Sequence, residues 1–518
     1  MRQVQGLPEL IVTLAGRRLT AADTARIVSI RVHSVLARPA QCLLSWAADD
    51  SLGVAPETGD GLRVELGGHR EPLFTGEVTV VEYSYRADTG RQLRIRAYDA
   101  LHRLRKRQYT RLLDAGDLRS LTDQLAAGTG LAVDAPADPL GPVYQTGRSD
   151  LDLLVEVAAR RGRYPVVRDG TLRLVPPAGD GPPLTAGYGT TLHAAEIEIS
   201  TEPAFRSAEA SWWDPVSAAA DLGRTDDPRA APTVTADAAP QRLGGGGPVL
   251  RPDELRNGSE ATPAALALAD LDLRRQGEVT ATLVVEGDPA LQAGRRIAVQ
   301  GVNAALEGTY PITEATHEIS VLGYETTVSS RPPAPPPVRA RDQVTLGVVA
   351  DVADPADTAR VRVRLPAYAD LDSGWAPVLL PAAGPGKGVV ALPEVGDRVL
   401  VLLPGRDPGH AIVLGGLYGP ESPPPPDTDR PANSAQTAPP LAGGAPRRGE
   451  TAVLRSRDGQ QLVLDGTNHL LSLADGHGSS VELGPELLRV TAATDLLIEA
   501  PGRALRIRAR TVDFEEAP

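Results

Sequence analysis

Histidine, cysteine and clustered carboxylates carry much of the chemistry of proteins, and few patterns of them occur in this sequence. His469 and His477 lie eight residues apart and are the best pair for a metal site. A zinc site needs three or four protein ligands, and the single cysteine, Cys42, lies apart from them in the strand-like run QCLLSW. His33 lies in another strand-like run and is best interpreted as part of a polar strand face. We therefore predict no bound metal and no cofactor.

Catalytic and nucleotide-binding motifs give no stronger signal. GxSxG, HExxH, CxxC and GxxxxGK are absent, and the glycines at 244–247 stand in a polar stretch with no apolar helix after them. The net charge of −13 argues against a surface that binds nucleic acid. Tyr368, Trp375 and Tyr418 could stack on bases, but acids and prolines surround them. We predict a structural protein that is not an enzyme and binds no nucleic acid.

Composition indicates several β-rich domains. A chain of 518 residues exceeds what one hydrophobic core organises. Its 52 glycines, 47 prolines and 3% aromatics favour turn-rich β-structure with cores of Val, Leu, Ile and Ala. No run approaches the roughly 18 apolar residues of a membrane span. The first thirty residues lack an uninterrupted apolar core, so we expect synthesis in the cytoplasm without a signal peptide.

Changes of hydrophobic period and two proline-rich stretches divide the chain. Period-two alternation dominates the first and third regions, and helical spacing appears between them. RPPAPPPV and a later stretch with PPPP are typical of linkers. The expected regions are 1–105, 106–180, 181–330 with a long loop at 215–260, a linker at 331–340, 341–420, a second linker at 421–449, and 450–518.

Local signals place several elements. Asp117 is a candidate N-cap for a helix with leucines at helical spacing, and Ser149 with Asp152 forms a capping-box pattern before a second helix. Arg168, Asp169 and Gly170 then predict a β-hairpin turn.

One turn-and-strand pattern occurs three times. ETGDGLRVEL, LQAGRRIAVQG and LPEVGDRVLV each have a glycine, one or two polar residues and then alternating apolar residues. The glycines are Gly59, Gly294 and Gly396. The pattern predicts a strand that begins directly after a glycine turn, once in each of three domains.

Region 341–420 holds five or six short strands in about 80 residues, namely VTLGVVADV, ARVRVRLP, WAPVLLP, GVVALP, DRVLVLL and HAIVLGGLYG. This density of strands is typical of a small closed barrel such as the OB-fold.

The last seventy residues contain a short apolar repeat. Pairs of apolar residues separated by one position recur at steps of 9, 10, 7, 8, 9 and 7 residues, with DG, GHG or PG turns between several of them. A repeat near eight residues predicts a β-solenoid or an intertwined β-helix. Because two apolar side chains per strand give one chain too little to bury, three chains should wind together. The predicted core residues are Val481, Leu483, Leu488, Val490, Leu496, Ile498, Leu505 and Ile507.

Together these stretches resemble a known family. LGVV, RVRVRLP, SGWAPV, LPEVGDRVLV and VLGGLYG resemble the OB domain of VgrG-type and phage baseplate spike proteins. SDLDLLVEVAARRGRYPVVRDGTLRLV resembles part of the late-control-D hub family of phages. DPALQAGRRIAVQGVNAALEGTYPITEATHEISVLGYETTVSS resembles the closing strands of that hub, and the C-terminal repeat resembles the family's trimeric spike.

The resemblance implies a mainly all-β fold. It consists of two hub β-barrel-like domains with a small α/β insertion, an OB-fold barrel and a C-terminal trimeric intertwined β-helix. It also implies a homotrimer that matches the six-fold symmetry of a hexameric inner tube through two similar barrels per chain. The implied further partners are a conical PAAR-type tip protein and other baseplate proteins.

The sequence departs from some relatives at its C-terminal part. About thirty residues separate the OB-like region from the repeat, too few for a lysozyme domain, and TVDFEEAP leaves no room for a C-terminal effector. Val512 and Phe514 are the predicted docking residues for a separate tip protein. The alternative is that Phe514 closes the core among three copies.

The compact length favours an extracellular injection device of phage-tail type, with a structural spike that punctures a target envelope. A phage tail spike and a type VI secretion VgrG spike are the alternatives.

Overall fold

The computed structural model describes residues 9–47, 55–87, 90–214, 219–239, 248–252, 262–334, 342–419 and 451–514. The chain forms two compact units, Met1–Leu417 and Tyr418–Pro518. In both units most of the regular secondary structure is β-strand, which confirms the predicted mainly all-β class. The glycines at 244–247 and most of both predicted linkers lie outside the described residues.

The first region alternates as the sequence predicts. In the strand Gly61–Leu66, Leu62, Val64 and Leu66 are buried and alternate with Arg63 and Glu65. They join a core with Trp46 and Ile95. The elements are β1 (Leu10–Leu14), β2 (Arg17–Arg18), α1 (Ala21–Thr24), β3 (Ile27–Val35), β4 (Gln41–Ala47), β5 (Gly61–Leu66), β6 (Phe74–Arg86), β7 (Gly90–Tyr98) and α2 (His102–Arg105).

The second region is a small α/β unit with its own core of leucines and valines. Its elements are β8 (Gln108–Leu113), α3 (Leu118–Ala126), β9 (Ala132–Asp134), β10 (Val143–Ser149), α4 (Asp150–Ala159), β11 (Tyr164–Arg168) and β12 (Thr171–Val175). The Asp117 carboxylate accepts a hydrogen bond from the Ser120 N–H at 2.6 Å, and the Ser149 hydroxyl accepts one from the Asp152 N–H at 3.1 Å. Both predicted N-caps are confirmed, as is the β11–β12 hairpin.

The third region returns to strands around one long helix, whose N-cap is Thr262. Its elements are β13 (Leu184–Gly187), β14 (Leu192–Ile199), β15 (Ser207–Asp214), β16 (Ala219–Thr225), β17 (Pro248–Pro252), α5 (Pro263–Glu278), β18 (Val279–Glu286), β19 (Arg296–Gln300), β20 (Gly308–Pro311), β21 (Glu314–Ser320) and β22 (Gly323–Ser329).

The expectation of a continuous loop at 215–260 is wrong in its described parts. β16 and β17 pair with the two edges of β15. α5 then packs on this sheet, and a Cβ at Gly223 would lie 2.1 Å from the Ala264 nitrogen. Because close contact with the helix requires glycine, this strand lacks the apolar alternation that would have revealed it.

One sheet of eleven strands joins the first and third regions. Its order is β14-β18-β22-β21-β3-β4-β7-β6-β5-β1-β2. The junction is the antiparallel pairing of β21 with β3, in which Ile319 lies opposite Ile30. His33 lies on this junction, and its Nε2 is 2.8 Å from the Glu314 carboxylate. The histidine thus occupies the polar strand face that the sequence predicted.

The three predicted glycine turns share one hydrogen-bond pattern. Gly59, Gly294 and Gly396 have φ values of 101°, 87° and 94°. Each glycine N–H donates to the carbonyl of one residue on a neighbouring segment, and that residue's N–H donates back to the carbonyl after the glycine. The bonded residues are Val78, Ile312 and Val349 respectively. The prediction is confirmed, and the positive φ is the reason for glycine at each turn.

The OB region forms a five-stranded sheet in the order β25-β24-β23-β26-β27. A bridge between Val378 and Val413 brings its two edges together. The stretch GVVALP, predicted as a sixth strand, forms none, and Val390 is 76% exposed. Proline and turn residues on both sides leave it without a ladder partner. The strands are β23 (Gln343–Asp351), β24 (Arg360–Leu365), β25 (Leu371–Pro377), β26 (Arg398–Leu403) and β27 (Ile412–Gly416).

The second unit contains an antiparallel meander in which each strand pairs with the next along the chain. Its strands are β28 (Thr451–Arg455), β29 (Gln461–Asp465), β30 (Leu470–Ala474), β31 (Ser480–Leu483) and β32 (Leu488–Thr491). Residues 492–514 are described without a strand. The intertwined β-helix, which needs other chains, stays a prediction.

Candidate assembly surfaces

The apolar pairs of the C-terminal repeat lie opposite one another in the meander. Leu462 pairs with Leu473 and Leu464 with Leu471 across β29 and β30. The alignment continues through β31 to β32. Because residues two apart in a strand share a face, these pairs form one continuous apolar surface. We call this surface the needle face: Leu454, Leu462, Leu464, Leu471, Leu473, Val481, Leu483, Leu488 and Val490.

No described residue of the second unit buries the needle face. Among the described side chains of 452–514, only that of Ser472 is buried. Leu464, Leu488 and Val490 are each at least half exposed. A solvent-exposed apolar surface of this extent on a small sheet marks a place where another surface binds.

The structure brings together half of the predicted needle core. Val481, Leu483, Leu488 and Val490 are neighbours on the needle face. The other predicted core residues and both predicted docking residues follow the last strand, and all are largely exposed in the single chain. These are Leu496, Ile498, Leu505, Ile507, Val512 and Phe514. Their contacts with other chains remain predictions.

The two C-terminal histidines do not meet within one chain. His469 precedes β30 and His477 follows it, so the strand separates them. Over the described ranges, no three His, Cys, Asp or Glu side chains converge as a metal site would require.

The buried titratable groups of the first unit have structural partners. Both Asp99 oxygens accept backbone N–H groups, from Ala40 and Leu101, each at 3.0 Å. Burial raises the pKa of Asp99 to about 7. Burial also lowers the pKa of His317 to about 4, and its Nδ1 lies 3.0 Å from the hydroxyls of Tyr324 and Thr326. These groups hold strands and loops together, and the Thr326 hydroxyl beside His317 is fully buried.

A second apolar surface lies along one end of the eleven-stranded sheet. The register places Ser320 opposite Ser29, Ser29 opposite Ser45, and Arg94 opposite both Ser45 and Glu82. The β21–β22 turn and the far part of the β6–β7 arm therefore project from the same end. Their exposed large side chains, with one from β3, form what we call the hub rim: Val28, Tyr83, Tyr85, Val321 and Leu322.

The two hairpins of the hub rim occupy equivalent positions. β6 ends eight residues after Val78, and β21 ends eight residues after Ile312. Val78 and Ile312 are the residues that hydrogen-bond the turns at Gly59 and Gly294. Each chain thus presents two similar hairpins at one sheet end. Residue patterns did not single out the rim, although two apolar residues at a hairpin turn, Val321 and Leu322, were an available signal.

A third contact joins the α/β unit to the OB barrel. The Tyr144 hydroxyl donates to the Asp372 carbonyl at 3.2 Å. The Tyr144 ring lies against Gly409, where a Cβ would be 2.8 Å from Cε2. Burial, with Asp407 and Asp372 nearby, raises the pKa of Tyr144 to about 12. Sequence analysis missed this residue because its partners lie more than 200 positions away.

Comparison with known proteins agrees with this architecture. Residues 345–418 match the type VI secretion system/phage-baseplate injector OB domain. No curated protein sequence matches the chain.

Two solved structures share the fold. One is the E. coli c3393 protein, a type VI secretion system component described as similar to the T4 tail proteins gp27 and gp5. Its TM-score is 0.51 at 12% identity, over 79% of this chain and 99% of that one. The other is the half-lidded Francisella PdpA–VgrG complex, with a TM-score of 0.52 at 7% identity over 95% of this chain and 89% of that one.

The chain thus has the OB domain of the baseplate injector family and shares its fold with VgrG-like proteins. Residues 54–321, just over half of the sequence, match the Alg8 N-terminal domain, and the chain belongs to that family.

Proposed function

We propose that this protein is the central spike of a phage-tail-like contractile injection system and acts structurally, without catalysis. Three copies form the spike. The hub joins the hexameric inner tube, and the C-terminal unit carries a conical PAAR-type tip protein that opens the target envelope. Other baseplate proteins surround the hub in the assembled particle. The part of the chain that the structure describes has no helix long and apolar enough to span a bilayer.

The uncovered needle face is the observation that carries the trimer. Burying one Leu or Val side chain stabilises by about 1.5–3 kcal/mol relative to leaving it in water. Ordering the backbone costs about 1–2 kcal/mol per residue. Since a single chain buries no large apolar side chain among the described residues of this unit, the ordered sheet needs further chains to cover it.

The two equivalent hairpins of the hub rim support docking on a six-fold tube. A trimer would present six hairpins, each with two large apolar side chains at its end: Tyr83 and Tyr85, or Val321 and Leu322. A hexameric ring repeats the same contact surface at each of its six subunits. Six similar hairpins could therefore each bind one subunit of the ring.

A matched pair of substitutions tests the trimer. Leu464 on the needle face and Val453 on the opposite face are both about half exposed in the single chain. Leu464→Asp would place three carboxylates in a shared apolar core, where desolvation and repulsion oppose assembly. We expect light scattering to give a trimer for the wild type and for Val453→Asp, and dissociation at micromolar concentration for Leu464→Asp. A wild-type monomer with a folded C-terminal unit would refute the proposal.

A type VI secretion VgrG spike or a phage tail spike is the second candidate. The chain shares its fold with the E. coli type VI secretion component and the Francisella VgrG complex, and this fold supports a VgrG role as well as it supports a role in a released particle. Electron microscopy of purified particles containing this protein separates them, because a released device has a sheath and baseplate but no capsid and no membrane anchor.

A further inference from the structure

The OB barrel has strands that are apolar on both faces. β26 reads RVLVLL, in which Val399, Val401 and Leu403 enter the barrel core. Leu400 and Leu402 point the other way and remain partly exposed. Continuous apolar strands are typical of sheets covered on both sides. The outer side of this barrel therefore has the composition of an interface.

The outward residues of three adjacent strands form one patch. Val344 of β23 lies opposite Leu402 of β26, which lies opposite Ile412 of β27. Leu346 lies opposite Leu400 in the next row. Val344 and Leu346 are 51% and 59% exposed. None of the five packs against the barrel core. We call Val344, Leu346, Leu400, Leu402 and Ile412 the outer OB patch.

The main contacts between the hub and the OB barrel are made by elements outside this patch. They join β8 and β10 to β25 and the turn Pro408–His410. In the part of the chain that the structure describes, Val344 and Leu346 therefore remain exposed with the hub and the barrel in one unit.

The segment that links the OB barrel to the C-terminal unit favours a second copy of this chain as the partner that binds the outer OB patch. Residue 419 is joined to Thr451 by 31 residues, which span at most about 110 Å when fully extended. Copies held together through their C-terminal units must keep their OB barrels within roughly twice that distance. The effective concentration is then roughly 0.1 mM, enough for a modest apolar patch to associate without high intrinsic affinity.

We propose that the outer OB patch is a second self-association surface, on which the OB barrel of one copy packs against that of another. This inference rests on the proposed trimer and adds a contact independent of the needle face. It makes association bivalent, so loss of either surface weakens the complex more than its own contacts would suggest.

Cysteine labelling in the full-length protein tests the surface. Leu346→Cys places a thiol in the patch, and Val390→Cys places one elsewhere on the same barrel, at 76% exposure in the single chain. Cys42 is fully buried, so it contributes little background. We expect a small maleimide to label Leu346→Cys at least tenfold more slowly than Val390→Cys. A flexible bismaleimide should join Leu346→Cys chains into covalent multimers.

The outcomes of this experiment separate the two proposals. A monomer by light scattering overturns the trimer and this surface together. A trimer in which both cysteines react equally fast overturns only the outer OB patch. Protection of Leu346→Cys without covalent multimers would assign the patch to another segment of the same chain, and it would also reject the inference. The inference is supported if Leu346→Cys is protected from the maleimide and forms covalent multimers with the bismaleimide. Dilution to the monomer before labelling should then abolish the protection.

Discussion

At the scale of single residues, Gly59 and Gly61 show why a glycine is needed at one position and only tolerated at another. Both have open space where a Cβ would stand. Gly59 has a φ of 101°, in the region that side chains with a Cβ avoid, whereas Gly61 lies in an ordinary strand conformation. An added Cβ would therefore strain the backbone at Gly59 and not at Gly61, and it would meet no neighbouring atom at either position.

Gly59→Ala should therefore destabilise the hub by about 1–2 kcal/mol, the cost of a left-handed conformation for a residue with a Cβ. Gly61→Ala should leave stability unchanged or raise it slightly, since alanine restricts the unfolded chain. Chemical denaturation of the two variants measures both effects. Equal changes in the free energy of unfolding would contradict the assignment of strain to Gly59.

His317 should make the hub sensitive to acid. In the unfolded chain this imidazole binds a proton near its ordinary pKa of 6.5, and in the folded protein only near 4. Between these values the unfolded state binds more protons, so stability falls as pH falls, by up to about 3 kcal/mol. Asp99 acts in the opposite direction because its folded pKa is raised to about 7.

His317→Gln isolates this effect, since the amide oxygen of the introduced glutamine could still accept from Tyr324 and Thr326 while Asp99 is unchanged. We expect the wild type to lose stability relative to the variant as pH falls from 6.5 to 4. Denaturation curves at several pH values measure the difference. Parallel pH profiles for the two proteins would show that His317 titrates normally.

At the scale of elements, Tyr144 connects β10 to the OB barrel. Its ring packs against Gly409, where any larger side chain would collide with it. Gly409→Ala should push the Tyr144 ring aside and cost about 1–3 kcal/mol, the usual range for overpacking. In a Tyr144→Ala background the same change should cost almost nothing, because the ring it displaces is gone.

Gly416→Ala is the matched control for this cycle, because its nearest neighbour atom would be 4.0 Å from the new Cβ. Thermal unfolding of the single and double variants supplies the four values of the cycle. An unchanged cost of Gly409→Ala with and without Tyr144 would mean that the contact does not couple the two elements.

At the scale of the whole molecule, the hub rim should recognise the inner tube. Tyr85 and Leu322 lie at the ends of the two equivalent hairpins, and Leu322 is 89% exposed. The double change to serine removes apolar contact area at all six positions of a trimer. We expect at least tenfold weaker co-sedimentation with assembled inner tube. Leu222→Ser, at an exposed position of β16 away from the rim, should bind normally.

Phe514 should decide how the C-terminal unit meets its tip protein. The side chain is 91% exposed in the single chain. If it is a docking surface, Phe514→Ala abolishes capture of the tip protein in a pull-down and leaves the melting temperature of the trimer nearly unchanged. If it closes the needle core, the variant loses stability and tip binding together. Full tip capture by a chain ending at Arg510 would reject a terminal docking site.

Much of this architecture followed from local pattern. Asp117 and Ser149 capped their helices as predicted, and Gly59, Gly294 and Gly396 formed their turns, because backbone hydrogen bonding and φ depend on adjacent residues. The eight-residue repeat placed the apolar pairs on one face for the same reason, since strand faces alternate with every residue.

Tertiary structure decided what distant residues do to one another. The pairing of β21 with β3 joins two regions into one sheet. β16 and β17, in a segment predicted as a loop, form strands because they pair with β15. Tyr144 and the rim hairpins came to their positions through contacts across hundreds of residues. Such contacts depend on chain topology and on packing between surfaces. A run of neighbouring residues records its own φ, capping and periodicity, but it carries no signal for which distant strand will complete its hydrogen bonds.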